Sequence, residues 1–138
     1  MSTRAIIAIP TEKGYKTAWC WNDGFPDNLG RILRTKFKTK ELADELVGHH
    51  SFSCLMTAKE VEEHKEWRKK NGIGVNDWDI KYIVLSNGCV LLSYPYNGKT
   101  VAGKGKYGFF SNIEDMLGQD LNYVYVFEEE TGKWKMYK

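Results

Sequence analysis

Glycine and lysine alternate over Gly103-Lys104-Gly105-Lys106-Tyr107-Gly108, which spells G-x-G-x-x-G. In a strand–turn–helix setting that spelling lets backbone N–H groups cradle a dinucleotide pyrophosphate. The chemistry needs a strand before the glycines, a long helix after them and an acidic residue about 20 positions on. Only 30 residues follow Gly108, and they read as a short helix and a hairpin, so a dinucleotide fold is not expected. Gly98-Lys99-Thr100 has the look of the end of a P-loop, but Ser93 stands where its first glycine belongs. What survives is a loop in which Lys99, Lys104 and Lys106 sit among glycines whose bare N–H groups can approach an anion. A solvated surface loop has the same composition.

His49, His50, Cys54 and His64 are zinc-ligand types, yet no C-x-x-C or H-x-x-x-H spacing pairs them, and no metal is expected. Cys20 or Cys54 beside a histidine would make an activated thiol, but no third, orienting group is readable. No catalytic residue and no cofactor is assigned, and binding is favoured over catalysis.

The stretch Thr17 to Gly30, TAWCWNDGFPDNLG, is the remaining chemical feature. Asn22-Asp23-Gly24 predicts an Asx-type turn with Gly24 at positive φ, Pro26 fixes the next bend, and Asp27 or Asn28 is placed to cap a helix. Trp19 and Trp21 project to one face of their strand because side chains alternate. With Phe25 they either form an aromatic wall beside a helix start, where anions are favoured, or pack the core beneath that helix.

The elements that must position these residues follow from periodicity. Arg4 to Ile9 and Tyr15 to Trp21 predict an opening hairpin across Thr11-Glu12-Lys13-Gly14. Leu29, Ile32, Leu33 and Phe37 predict a short helix over 28–37. Thr39 caps a second, with Leu42, Ala43, Leu46 and Val47 as its apolar stripe and Gly48 as its stop. Thr57-Ala58-Lys59-Glu60 predicts a capping box, with Met56 and Val61 as a hydrophobic staple, for a helix ending at Asn71-Gly72. Ser86-Asn87-Gly88 predicts a type I′ hairpin between Ile80–Leu85 and Cys89–Tyr94. Ser111-Asn112-Ile113-Glu114 predicts a second capping box and a brief helix ended by Gly118. Asn122–Phe127 and Trp134–Tyr137 close the chain as a hairpin across Glu130-Thr131-Gly132. Hairpins dominate and no βαβ alternation occurs, so the expected fold is α+β: an antiparallel sheet built from hairpins with helices on one face.

At 138 residues the chain reads as a single domain over 1–138, long enough to bury about two thirds of its unfolded surface. Twenty Lys and Arg against 18 Asp and Glu leave a net charge of +2, which is neither a nucleic-acid-binding surface nor an acidic mimic. Three widely spaced cysteines and the start MSTRAIIAIP, without an apolar segment of signal-peptide length, predict a reduced, intracellular protein. No apolar run approaches the roughly 20 residues that cross a bilayer. Five Trp, eight Tyr and six Phe are a generous aromatic supply that serves cores and stacking platforms alike.

Ser2, Thr3 and Arg4, followed by Asp23, Gly24 and Pro26, resemble a group of small phage and prophage proteins that open with Ser-Thr-Arg and carry an Asp-Gly-Tyr-Pro-type turn before a helix. Phe25 stands where tyrosine is more usual, and the resemblance covers about the first 35 residues. It implies a phage or mobile-element accessory protein in the host bacterial cytoplasm, acting against host defence. The expected function is non-enzymatic binding, with sequestration, of a nucleotide-like immune signal. Trp19, Trp21, Phe25, Tyr107 and Phe109 are expected to stack a base, and Arg4, Lys99, Lys104 and Lys106 to hold charge. The alternative is docking on a host defence effector such as a CRISPR nuclease, with the same aromatics as anchors. A homo-oligomer is compatible with either.

Overall fold

The computed structural model describes residues 3–71, 81–93 and 108–138. In chain order the strands are β1 Ala5–Pro10, β2 Tyr15–Cys20, β3 Ser51–Phe52, β4 Cys54–Met56, β5 Lys81–Val84, β6 Val90–Ser93, β7 Phe109–Phe110, β8 Tyr123–Glu128 and β9 Lys133–Tyr137. The helices are α1 Arg31–Lys36, entered through a wide π-type turn over Pro26–Gly30, then α2 Lys40–Val47, α3 Ala58–Lys70 and α4 Ile113–Leu117.

The main sheet runs β3-β2-β1-β8-β9, with β7 paired to the start of β2. A second sheet runs β4-β6-β5. The fold is α+β, and its hairpins are those the sequence predicts. β1 explains the centre: Ala5, Ile6, Ile7, Ala8 and Ile9 are all buried, so both of its faces carry core. Alternation sends Ala5, Ile7 and Ile9 to the face shared with α1 and α2, and Ile6 and Ala8 to the other. β8 divides the same way, Tyr125 and Phe127 on the first face, Val124 and Val126 on the second. The second sheet sends Leu55 and Leu91 into the first core. Its far side, Cys54, Val90 and Leu92, packs with Val61 of α3.

Two features exceed the hairpin pattern. β8 lies parallel to β1, Ala5 beside Tyr123, and β3 lies parallel to β2. The small helix α4 places Met116 on the second face, opposite α1 and α2. The second arises because a strand apolar on each side must be covered on each side, and the helices that follow the first hairpin cover only one.

Local chemistry accounts for most boundaries. Thr39 accepts from the Leu42 N–H as predicted. The Thr57 capping box is complete: Glu60 N–H donates to Thr57 Oγ1 at 3.3 Å, and Thr57 N–H to Glu60 Oε1 at 3.0 Å. The second cap falls one residue later than expected, at Asn112, whose Oδ1 accepts from the Asp115 N–H at 2.8 Å. The Ser86-Asn87-Gly88 turn also differs. Gly88 has φ 88° but Asn87 is not left-handed, and Gly88 N–H donates to Leu85 O. This is a three-residue loop closed by a glycine bulge rather than type I′. Tertiary contacts select it: Asn87 Nδ2 donates to Lys36 O, and Ser86 N–H and Oγ both donate to the Glu45 carboxylate.

Glu60 also ties helices together, accepting from Arg31 Nη2 at 2.7 Å. Burial alone would raise its carboxyl, but the Thr57 N–H and the Arg31 guanidinium outweigh burial and hold it below the usual range. A depressed folded pKa contributes stability that is complete above the unfolded value of about 4.3 and is lost as pH falls through the lower folded value. The stability gap between wild type and Glu60→Gln should therefore be constant above about pH 5 and close under acid, read from urea midpoints at several pH values. A gap independent of pH would contradict this.

The Asn-Asp-Gly-Phe-Pro turn is built differently from its prediction. Asp23, not Gly24, takes the left-handed conformation, at φ 57°. Gly24 is required by space: a Cβ there would lie 2.8 Å from Ala5 Cβ and 3.0 Å from Thr3 O. Its N–H donates to Thr3 O at 2.9 Å, and its carbonyl accepts from the Tyr125 hydroxyl at 2.7 Å. Neither Asp27 nor Asn28 caps the helix. Phe25 occupies the cap position with no side-chain bond, and Asn28 Nδ2 donates back to Asp23 O. Tyr125→Phe should cost about 1–3 kcal/mol in urea denaturation, because it strands the buried Gly24 carbonyl. A loss below a few tenths would show that water replaces the phenol.

Candidate ligand site between helix α1 and the last hairpin

The C-terminal end of α1 and the β8–β9 turn meet backbone to backbone. Gly132, at φ 70°, approaches so closely that a Cβ would lie 2.7 Å from Lys38 O. Trp134 stands opposite Phe127 in the ladder, their ring centroids 5.1 Å apart, and its Nε1–H donates to Phe37 O at 2.8 Å. The indole is thus pinned on one side by the core and at its polar edge by the helix end. Beside it opens a cavity of about 460 Å³ lined by Arg34, Lys38, Thr131, Gly132, Lys133 and Trp134. Such a volume is within the range of small-molecule sites.

The charged residues that line this cavity are all cationic. Four other cations are engaged, Arg4 with Asp120, Lys16 and Lys40 with Asp44 and Arg31 with Glu60, whereas Lys36, Lys59, Lys69 and Lys70, like those of the cavity, enter no ion pair among the described residues. Among the described residues no ion pair engages Arg34, Lys38 or Lys133. The nearby Glu128 carboxylate accepts from the Thr131 hydroxyl at 3.4 Å. The cavity therefore offers an aromatic wall and three cations outside any ion pair, with the Glu128 carboxylate at its edge, a set that can take an anionic ligand with a planar ring.

Among the described residues, those expected from sequence do not converge beyond the Trp19–Trp21 pair. Trp19 is only 4% exposed and belongs to the second core. Trp21 is half-buried, tilted against Trp19 at 5.2 Å, and donates its Nε1–H to Ser51 Oγ. The pair is architecture rather than an open wall, because each ring takes up part of the other's surface. Phe25 is exposed. Arg4 is tied to Asp120 at 3.2 Å at the start of β1. Phe109 is exposed but pairs with Lys16 near the other end of β2, five residues and roughly 17 Å from Trp21. It lies in an open groove with Glu114 and Asp115, whose charge opposes phosphate. Lys99, Lys104, Lys106 and Tyr107 lie outside the described residues.

The sequence reading missed Arg34, Lys38, Lys133 and Trp134. The available signals were the (i, i+4) pair of cations around Phe37 and a tryptophan two residues after the glycine of a hairpin turn. Nothing local joins two segments separated by almost a hundred positions.

The chain's thiols are not poised for nucleophilic chemistry. Cys20, Cys54 and Cys89 are all buried and free. Burial pushes Cys54 up to about 12, and burial followed by the neighbouring Cys54 raises Cys20 well above its ordinary value. Alkylation of the native protein at pH 8 should label none of the three on a timescale that labels all three in denaturant, followed by mass spectrometry. Rapid native labelling of Cys20 or Cys54 would contradict this burial. Among the described residues no group of three His, Cys, Asp or Glu converges as a metal site, and no helix is long and apolar enough to cross a membrane.

The fold and cavity together define an α+β domain with a basic, indole-walled site. Comparison with protein-family models, curated proteins and solved structures finds no match.

Proposed function

We propose that this chain is a non-enzymatic binding protein that holds, and by holding sequesters, a small nucleotide-like anion. The observation that carries the reading is the set of unpaired cations, Arg34, Lys38 and Lys133, around the pinned indole of Trp134. A base stacked on a tryptophan gains about 1–3 kcal/mol, and unpaired cations add attraction for phosphate. The biological setting, a phage-type accessory protein countering a host immune signal, rests on the Ser2-Thr3-Arg4 start and the Asp23-Gly24-Phe25-Pro26 turn. Calorimetry and thermal shift with AMP, cyclic AMP, ADP-ribose and cyclic dinucleotides test the reading. Saturable binding that raises the melting temperature and perturbs Trp134 fluorescence is expected. Absence of binding or stabilisation across the panel overturns it.

A second reading, docking on a host defence effector, is favoured by Trp67, which is 55% exposed on α3, a residue type common among interface anchors. One stoichiometric protein partner, lost in Trp67→Ala, would support it over the first.

A further inference from the structure

We infer that Gly30 sets Arg34 as the anion-holding residue of this cavity, so that a bound nucleoside phosphate lies with its phosphate toward α1 and its ring toward Trp134. The inference rests on the proposed binding function and adds the residue that positions the charge.

Gly30 has φ −58° and ψ −43°, ordinary helical backbone open to any residue. In such a conformation glycine is less favourable than alanine, so its presence calls for a reason other than backbone freedom. Space supplies it. A Cβ on Gly30 would stand 3.0 Å from Arg34 Nη1, 3.3 Å from Tyr125 Cε1 and 3.6 Å from the Tyr125 hydroxyl.

The guanidinium of Arg34, one turn further on, therefore folds back over the bare glycine, one of its nitrogens lying where a Cβ would crowd it. This is the direction in which long side chains lean on a helix. Tyr125 is itself immobilised by its bond to Gly24 O. The result is a planar fork over Gly30 with no carboxylate partner among the described residues. A fork of this kind recognises two phosphate oxygens at once, whereas an ammonium acts as a point charge. Trp134 lies on the opposite strand element of the same cavity and is left for the ring.

The test compares wild type, Gly30→Ala and Arg34→Lys by calorimetry against AMP, cyclic AMP and ADP-ribose, with adenosine as the uncharged control. Gly30→Ala displaces the guanidinium while removing no cation from the chain. Arg34→Lys keeps the charge on an exposed position but removes the fork. Each is expected to weaken the phosphate-bearing ligands about fivefold to tenfold and leave adenosine within about twofold. Equal weakening of adenosine would mark a structural disturbance and overturn the assignment. So would wild-type affinity for the phosphates in Arg34→Lys, the variant that decides if Gly30→Ala does not fold. Wild-type protein that binds none of the probes overturns the binding function and this inference together. Wild-type binding with unchanged variants overturns this inference alone.

Discussion

Arg34→Ala combined with Lys38→Ala is expected to weaken nucleotide binding by about 100-fold or more while leaving the fold as stable as wild type to within about 0.5 kcal/mol. Both side chains are exposed and enter no ion pair among the described residues, so their removal strands no partner charge. In the complex each would donate charged hydrogen bonds worth about 1.5–3 kcal/mol, and two such losses compound to that factor. The remaining affinity should depend less on salt than that of wild type, because fewer cations face the ligand. Calorimetry at two ionic strengths measures both effects. Retention of affinity within about threefold would place the ligand elsewhere in the molecule.

The second large effect is on stability. Phe37→Ala should cost about 3–5 kcal/mol, a large fraction of the stability of a domain of this size, measured by urea denaturation with tryptophan fluorescence. Phe37 is fully buried, and it is the residue at which α1 ends, with its carbonyl receiving the Trp134 indole. Truncation therefore removes core contacts and loosens the joint between helix and hairpin that shapes the cavity. A protein that still folds should bind ligand more weakly as well. A loss under about 1 kcal/mol would mean that neighbouring side chains collapse into the space.

The elements visible in the sequence are those specified over a few residues. The Thr57 capping box needs only residues 57 to 60, and both of its bonds are present. The α2 stripe of Ala43, Leu46 and Val47 is buried as its spacing requires. Elsewhere the local reading shifts by one residue or one turn type. Asn112 replaces Ser111 as cap, and the Asn87-Gly88 turn changes class once Lys36 and Glu45 supply partners.

The aromatic set shows a different failure. Alternation correctly brings Trp19 and Trp21 together, but alternation does not say which face of a central sheet meets solvent. β1 is apolar on both sides, so the sheet carries a second core, and Trp19 belongs to it.

By itself, then, the sequence determined the hairpins, the helix starts and the α+β class, because these depend on period, capping chemistry and turn residues within a short window. Only the tertiary structure decided that β8 returns parallel to β1, that Gly24 and Gly30 are glycines for want of room rather than for φ, and that Arg34 and Lys38 meet Lys133 and Trp134. Those outcomes depend on which distant surfaces come to share a volume. Close packing sets that volume for the whole chain at once, and no single stretch of residues encodes it.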